Sequence, residues 1–218
     1  MKKLIIFGNS ILSEIASFYF TKFSNYEISY YAADKEFITS KLFLGKKILS
    51  VPELLKIDRK QYDLFIAIGY RNLNTVREKY YNFFKSNKFN FASFIHPNSK
   101  VYSSKLGSNN FIMENVSLNP YSEIGNNNIF WSSSIIGHHS KIGSHNFFSG
   151  NSTISGNCEI KSRCFWGVNS CCKDSVKINN YCFIDANQYV NSSLQKYTFY
   201  NLDINNKKII KTNQIFNV

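Results

Sequence analysis

Residues 124–160 decide the fold, and they read IGNNNIFWSSSIIGHHSKIGSHNFFSGNSTISGNCEI. Every sixth residue of this stretch, from Ile124 to Ile160, is apolar. The register continues outward on both sides, so that all fifteen positions at this spacing from Leu106 to Val190 are apolar. Four residues after each of them the side chain is mostly small, usually Ser or Cys, and Gly often follows the apolar residue directly. A six-residue period sustained over such a length indicates a repeat architecture.

The six-residue period is typical of a parallel β-helix of triangular section. Each hexapeptide forms one flat side, three of them complete an 18-residue coil, and successive coils stack about 4.8 Å apart. The large apolar residue fills the interior and the small residue fits near a corner, while Gly or Asn tolerates the backbone angles of the turn. The span from residue 106 to residue 190 predicts a β-helix of four to five coils.

The first hundred residues have a different pattern, in which strand-like and helix-like segments alternate. Such alternation predicts parallel βαβ units and a small doubly wound sheet. We therefore expect a small Rossmann-like α/β domain over residues 1–100, followed by an all-β domain over residues 101–218 that holds the β-helix and a C-terminal tail. The predicted strands are Lys3–Phe7, Glu27–Ala33, Asp63–Ile68 and Phe89–Ile95, and the predicted helices are Ile11–Phe20, Val51–Leu55 and Asn74–Phe84.

Charge and hydropathy narrow the class of ligand and the compartment. The chain has 26 basic and 14 acidic residues, a net charge of +12. Because the lysines are scattered and form no basic helix or Arg-rich run, they favour small anions such as nucleotides, phosphates or CoA over nucleic acid. No apolar run reaches the roughly 18 residues of a membrane span. The apolar stretch Leu4–Gly8 is too short for a signal-peptide core, so we expect a cytoplasmic protein.

The cysteines and histidines do not have the spacing of a metal site. The five cysteines (158, 164, 171, 172 and 182) include no CxxC pair, and four of them fall on interior positions of the repeat. We expect these to be inert core thiols. A zinc site of the β-helix type needs about three convergent histidines, and no second His lies one or two coils from His138. No bound metal is expected.

His138 is the candidate general base of the β-helix. It comes two residues after the interior position Ile136, which places it outward near a corner. A neutral imidazole accepts a proton near neutral pH without special tuning, although a surface His on a turn has the same spacing. Gly156 lies directly one coil along, where its N–H could stabilise an oxyanion or where it could be an ordinary corner glycine. His96 and His145 are expected to be structural or surface residues.

Four residues at predicted strand ends are candidate nucleotide contacts. Gly8 and Ser10 follow the first strand, Asp34 ends the second and Gly69 ends the third. Small residues there allow a phosphate to approach, and an acidic residue can bind a ribose or base. Plain strand-to-helix turns explain the same residues. Because no full GxGxxG is present, redox use of a nicotinamide cofactor is not expected.

The pattern as a whole resembles the left-handed β-helix (hexapeptide-repeat) acyltransferases. An α/β start, the segment Phe94–Ser99 (FIHPNS) and then the coils are similar to sugar acyltransferases of the NeuD/PglD type. Residues 135–143 (IIGHHSKIG) resemble the catalytic His segment of that family, and residues 164–170 (CFWGVNS) resemble its acyl-CoA-contacting coil. The chain departs from the family at His139, where Asp or Glu often follows the catalytic His, and it lacks the closing Gly-x-Pro-Ala segment.

The resemblance implies a function that the spacing alone does not. It implies an N-acyltransferase that moves an acyl group, expected to be acetyl, from acyl-CoA to an amino sugar carried on a nucleotide, for bacterial surface glycans. The co-substrate is then acetyl-CoA or another acyl-CoA, with no permanently bound cofactor, and the assembly is a homotrimer. Two alternatives stay open: O-acetylation of a sugar or sialic acid hydroxyl, and a non-catalytic β-helix that serves as a binding module.

The resemblance also implies roles for individual residues. His138 becomes the general base, His139 an assisting or substrate-contacting residue, and Gly156 the oxyanion donor at the edge of the acyl-CoA site. Gly167 lies in the acyl-CoA coil. By the same alignment, the backbones of Val168 and Ala186 contact the pantetheine arm.

Overall fold

The computed structural model describes residues 1–201, 210–214 and 216. Its first part is a six-stranded sheet, here the N-terminal sheet, with strand order β3-β4-β2-β1-β5-β6. The strands are β1 (Lys2–Phe7), β2 (Tyr26–Ala33), β3 (Leu42–Phe43), β4 (Lys46–Ser50), β5 (Tyr62–Ile66) and β6 (Asn90–Phe91). The helices are α1 (Ile11–Phe23), α2 (Val51–Leu54) and α3 (Thr75–Ser86), with a short 3-10 helix at Lys35–Phe37. All neighbouring strands are parallel except β3 and β4, which confirms the predicted doubly wound start.

The rest of the chain winds into a parallel β-helix with three flat faces. The first face contains β7 (Phe94–Ile95), β10 (Phe111–Ile112), β13 (Ile129–Phe130), β16 (Phe147–Phe148), β19 (Phe165–Trp166), β22 (Phe183–Ile184) and β24 (Thr198–Tyr200). The second face contains β8 (Lys100–Val101), β11 (Ser117–Leu118), β14 (Ile135–Ile136), β17 (Thr153–Ile154), β20 (Cys171–Cys172) and β23 (Tyr189–Val190). The third face contains β9 (Lys105–Leu106), β12 (Glu123–Ile124), β15 (Lys141–Ile142), β18 (Glu159–Ile160) and β21 (Lys177–Ile178).

The C-terminal segment adds one more strand to the first face. Strand β25 (Ile210–Lys211) pairs antiparallel with β24, and a 3-10 helix follows at Thr212–Gln214. Parts of the predicted C-terminal tail, at residues 202–209, 215, 217 and 218, lie outside the described residues. The division into domains at residue 100 stays a prediction; the strand that opens the β-helix is Phe94–Ile95.

The strand register confirms the predicted coil of three hexapeptides. Phe111 pairs with Ile129, Ile135 with Thr153, and Lys141 with Glu159, and each pair is separated by three hexapeptides along the chain. Fourteen of the fifteen positions predicted to face inward are buried, and Leu106, near the start of the β-helix, is partly buried. The relative exposures are 0–1% for the four isoleucines that test the register most directly: Ile124, Ile136, Ile154 and Ile160. Four of the cysteines are buried free thiols, as predicted: Cys158, Cys164, Cys172 and Cys182. The fold is thus a Rossmann-like start followed by a left-handed parallel β-helix, as expected.

Glycine and asparagine have separate roles at the corners, which the sequence pattern did not distinguish. A Cβ on Gly125 would lie 2.6 Å from the carbonyl oxygen of Gly143 on the next coil, so this glycine is required for close coil stacking. The left-handed backbone angles fall instead at positions such as Asn127 (φ 58°) and Asn157 (φ 57°). Asparagine tolerates this region better than most residues because its short polar side chain bonds locally.

In the first hundred residues, one predicted strand needs correction and one hairpin was missed. The single strand predicted at Phe89–Ile95 is two strands: β6 belongs to the N-terminal sheet, whereas β7 opens the first face of the β-helix. The chain leaves one sheet for another at Ala92 and Ser93, within a mostly apolar segment that the sequence pattern did not divide. The antiparallel hairpin of β3 and β4 was not predicted; its turn places Leu44 and Gly45 at positive φ.

The N-terminal sheet packs directly on the first face of the β-helix. Side chains alternate along β1, so that Leu4 and Ile6 share a cluster with α1 and with the outward-facing Phe111 and Ile129. Ile5 and Phe7 face the other side, against α2 and α3. The β-helix therefore lies beside α1 on one side of the sheet, and the two parts share the core between them, while the interior of the β-helix is a separate core.

A fully buried arginine fastens α3 to the β-helix. The Arg77 guanidinium donates to the carbonyls of Ile68 and Gly69, and across the junction to those of Asn127 (3.3 Å) and Asn146 (3.0 Å). Burial lowers the pKa of Arg77 to about 9. Because the guanidinium has several fixed donors, it can satisfy carbonyls from both parts at once.

A chain of side-chain hydrogen bonds runs beside Arg77, along the corner between the third and first faces. Asn109 accepts from the N–H of Ile66 (2.8 Å) and donates to Asn127 (2.7 Å), and Asn127 contacts Nδ1 of His145 (2.7 Å). The other ring nitrogen of His145 lies 3.7 Å from Glu78 of α3, which in turn pairs with Arg163. His145 is 7% exposed, and burial lowers its pKa to about 4 from the usual 6.5. It is a structural residue, as expected.

The buried imidazole of His145 predicts a specific pH dependence of stability. Folded His145 stays neutral down to about pH 4, whereas the unfolded chain binds a proton below about pH 6.5. Its contribution is therefore fully present above pH 6.5 and is lost as the pH falls toward 4. We expect a loss of about 2 kcal/mol between pH 7 and pH 5, measured by urea unfolding.

The matched control is His145→Asn, because asparagine occupies the equivalent position one and two coils earlier. This variant removes the titrating group and keeps a side chain suited to the local φ of 64°. Its free energy of unfolding should change less between pH 7 and pH 5 than that of the wild type. An identical pH dependence in the two proteins would contradict the prediction.

Candidate active site

His138 lies on the corner between the second and third faces, here called the second corner (residues 137–140, 155–158 and 173–176). Its backbone is fixed by bonds between coils: the His138 carbonyl accepts from the N–H of Asn157 (2.9 Å), and the N–H of His139 donates to the carbonyl of Pro120 (3.2 Å). The side chains of both histidines are exposed. His138 therefore points outward from the interior Ile136, in the direction that the spacing predicted.

The imidazole of His138 lies against the backbone of Gly156. A Cβ at Gly156 would fall 2.7 Å from both Cε1 and Nε2 of His138 and 3.2 Å from its Nδ1. Only glycine leaves room for the ring in this position. Among the described residues, no acceptor takes a hydrogen bond from the Gly156 N–H, while the Gly156 carbonyl is bonded to Ser175 (3.0 Å). The exposed imidazole of His138 and the unused N–H of Gly156 are thus side by side.

His139 contacts His138 directly. The two Nδ1 atoms are 3.1 Å apart, with the rings nearly perpendicular at 84°. His139 has a φ of 58° and its ring packs on Tyr121, 4.7 Å between centroids. Of the two roles expected for His139, assisting His138 or contacting substrate, this contact favours the first.

The residues expected along the pantetheine arm lie on a different corner. Val168 and Ala186 are on the corner between the first and second faces, here called the first corner (residues 113–116, 131–134, 149–152, 167–170 and 185–188). Both are exposed. Gly167 is buried, and a Cβ there would come within 2.4 Å of the Ala186 nitrogen. Within one chain the second face separates these residues from His138 and Gly156, so they do not form one continuous site.

A groove at the first corner was not predicted. It has a volume of about 610 Å³ and runs beside Val168, with Trp131 and Phe147 as its apolar walls and serines between them. The hydroxyl of Tyr19, on α1, donates to Glu114 (2.6 Å), and Ser132 donates to the same carboxylate (2.7 Å). The spacing alone places residues 114, 132, 150 and 168 in one column, because each is one coil from the next. It does not predict a groove there, because the groove also depends on the position of α1.

The four candidate nucleotide contacts lie at one edge of the N-terminal sheet. Gly8, Asp34 and Gly69 follow the carboxyl ends of the adjacent strands β1, β2 and β5, and Ser10 precedes α1. Gly8 has a φ of 136°, and a Cβ there would lie 2.7 Å from the carbonyl oxygen of Ala67. Parallel strands present their ligand sites at this edge.

The carboxylate of Asp34 is already engaged. It accepts a hydrogen bond from the hydroxyl of Tyr80, on α3, and burial raises the pKa of that tyrosine. No pattern in the sequence indicated this partner, which lies on a helix that follows three further strands along the chain. On the same edge, Tyr70 packs on Phe147 and Phe165 of the first face, at 5.1 and 4.7 Å. Tyr70 therefore links the edge of the sheet to the wall of the groove.

No group of three or more His, Cys, Asp or Glu side chains in residues 1–201, 210–214 and 216 converges as metal ligands would. In the same part of the chain, no helix is long and apolar enough to cross a membrane.

Comparison with solved structures identifies the class of fold. The acetyltransferase domain of PglB from Neisseria gonorrhoeae aligns with a TM-score of 0.78 at 18% identity, over 89% of this chain and 94% of that one. PerB from Caulobacter crescentus, solved with CoA and GDP-perosamine, aligns at 0.77 and 19%, over 88% and 90% of the two chains. WeeI from Acinetobacter baumannii aligns at 0.74 and 17%, over 88% and 92%.

The chain therefore has the fold of the β-helix acetyltransferases, with the α/β start and the coils in the same arrangement. No family model and no curated protein matches the chain by sequence. At these identities the likeness concerns the fold, and the assignment of function depends on the site.

The contact between His138 and Gly156 generates a structural prediction. In Gly156→Ala the new methyl group would overlap the imidazole, and we expect the exposed His138 ring to swing toward solvent while the fold is retained. The ring signals of His138 should shift in a nitrogen–proton correlation spectrum, and the melting temperature should change by only a few degrees. The signals of buried His145 are the internal control. Unchanged His138 signals would show that the ring does not lie where we place it.

Proposed function

We propose that the protein is an acetyl-CoA-dependent N-acetyltransferase that acts on an amino sugar carried on a nucleotide. The observation that carries the proposal is the second corner itself, where an exposed imidazole lies against a glycine whose N–H is unused. In support, the PglB domain has been solved with acetyl coenzyme A and PerB with CoA and GDP-perosamine. The product would supply surface glycan synthesis, and the reaction would take place in the cytoplasm.

The reaction proceeds by direct attack on the thioester. The neutral sugar amine attacks the carbonyl carbon of acetyl-CoA, and His138 Nε2 accepts the proton that the nitrogen loses as the C–N bond forms. The negative charge that develops on the carbonyl oxygen is stabilised by the N–H of Gly156. When the C–S bond breaks, the CoA thiolate leaves and takes the proton from the imidazolium. The chain returns to its starting state.

The separation of the two corners supports a site shared between chains. Val168 and Ala186, proposed as main-chain contacts of the pantetheine arm beside Gly167, cannot reach His138 of the same chain across the second face. Three copies with their second faces turned toward a common axis would bring each chain's first corner beside the second corner of a neighbour. The outward residues of that face are mostly small or apolar: Ser117, Ile135, Thr153 and Cys171.

We therefore expect a homotrimer, in which three flat-sided prisms close around a threefold axis. Light scattering should give about three times the chain mass of 25.2 kDa at micromolar concentration. Ile135→Lys, on the outward side of the second face, should lower that mass, whereas the exposed Lys141→Ala on the third face should not. A wild-type monomer would rule out the shared site.

The edge of the N-terminal sheet is the proposed nucleotide site. Gly8 and Ser10 would allow the phosphates to approach the start of α1, while Asp34 would contact the ribose or base after exchanging its bond to Tyr80 for one to the ligand. Gly69 would line the other side. Tyr70 connects this edge to the groove at Trp131, which gives the sugar a path toward the site between chains.

The function is tested by thiol release from acetyl-CoA in the presence of UDP-, dTDP- and GDP-linked amino sugars. Release that depends on one amino sugar, with an amide in the product, supports the proposal. Release with a hydroxyl acceptor and an ester product would replace it with O-acetylation. No release with any acceptor, together with sugar binding by calorimetry, would leave a non-catalytic binding module.

His138→Ala should lower kcat by roughly 10²–10⁴, the usual contribution of a general base. The Kd for acetyl-CoA should be largely unchanged, because the proposed pantetheine contacts are on the other corner. Adding Gly156→Ala to His138→Ala should cost less than Gly156→Ala costs alone, since the ring it displaces is already gone. Near-normal turnover of His138→Ala with the true acceptor would refute the mechanism.

A further inference from the structure

The two adjacent histidines of the second corner form a pair that can exist in only some protonation states. Their Nδ1 atoms are 3.1 Å apart, which is hydrogen-bond distance. One of the two must therefore carry a proton and the other must present a lone pair, because two lone pairs or two N–H groups would repel. The bond thus couples the tautomer of His138 to that of His139.

The backbone and a neighbouring ring hold His139 in place for this bond. Its N–H is bonded to the carbonyl of Pro120, its φ is 58°, and its ring is packed on that of Tyr121. His138 is held on its other side by Gly156, against which its ring lies. Neither imidazole can turn away without losing one of these contacts.

We propose that His139 is a positioning residue that accepts a hydrogen bond from Nδ1–H of His138 and thereby keeps Nε2 of His138 free as the base. This inference rests on the proposed function. The neutral imidazole of His139 can accept this bond only at a ring nitrogen that carries a lone pair, so its own proton must be on Nε2.

The groups packed on the pair are neutral: the phenol of Tyr121 and the backbones of Pro120 and Gly156.

Charged groups near the pair are few among the described residues. Asp174 occupies the position equivalent to His138 two coils on, about 10 Å away at the usual strand spacing. Lys173 precedes Asp174 on the same corner, and Lys141 follows the pair on the third face with its side chain outward toward Glu123. None of these groups is bonded to either imidazole in the described structure.

Two substitutions separate the hydrogen bond from the backbone conformation. His139→Asn keeps an acceptor, since Oδ1 of asparagine falls near the place of Nδ1, and asparagine already occupies the same left-handed position at Asn157. It does not titrate. His139→Gly also suits the positive φ but offers no acceptor.

The first measurement is kcat at pH 8 with the same amino sugar for all three proteins. His139→Asn should retain kcat within about tenfold, because it still offers an acceptor to Nδ1–H of His138. His139→Gly should lose roughly 100-fold in kcat with the KM for acetyl-CoA unchanged. A His139→Gly variant with the kcat of the wild type would overturn the inference.

The second measurement needs no activity. Imidazole nitrogen shifts at pH 8 should show His138 in the Nδ1–H form in the wild type and in His139→Asn, and a mixture of tautomers in His139→Gly. A wild-type Nε2–H form, or shifts that do not respond to His139→Gly, would refute the pairing. A protein that shows the expected shifts but transfers no acetyl group would refute the proposed function and leave the pairing intact.

Discussion

The stacking of one coil of three hexapeptides on the next is the constraint on which the rest of this structure depends. Backbone hydrogen bonds between coils fix that interval, for example from Asn157 to His138 and from Gly125 to Ile142. Any two residues one coil apart must then be neighbours at about 4.8 Å. Residues that are separated by one coil in the sequence are therefore in contact in the structure. The site at His138 and Gly156 is one product of that rule, and the buried chain of Asn109, Asn127 and His145 is another.

The same stacking makes each face of the β-helix a column of like residues, and the three columns have different tasks. The first face presents phenylalanines outward, with Phe147, Phe165 and Phe183 stacked at 5.5 and 4.5 Å. This apolar surface is what the N-terminal sheet and α1 cover. The third face alternates Lys and Glu outward from Lys105 to Lys177, a pattern suited to water. The second face is neither covered by the N-terminal sheet nor lined with charges, and the candidate residues lie at its two edges.

Much of this could be predicted because the β-helix is a periodic object. One register supplied the interior residues, the direction of His138 and its proximity to Gly156, since each follows from counting hexapeptides and coils. The α/β start could be predicted because apolar strands and amphipathic helices alternate in it. The junction between the two parts follows no period. The break between β6 and β7, the four carbonyls bound by Arg77 and the bond from Tyr80 to Asp34 all depend on three-dimensional placement.

The candidate site contains one contact that the six-residue period predicts and one that it does not. The spacing predicts that Gly156 lies beside His138. It does not predict that the imidazole ring lies against Gly156 or that the N–H of Gly156 has no acceptor. Spacing also could not give the contact between His138 and His139, because neighbours in sequence on a strand point to opposite sides. The left-handed φ of His139 changes that direction and brings the two Nδ1 atoms together. A corner conformation that other coils satisfy with asparagine, as at Asn127 and Asn157, is here occupied by a residue that can carry a proton. The backbone geometry that closes the coil thereby also brings the two imidazoles into contact.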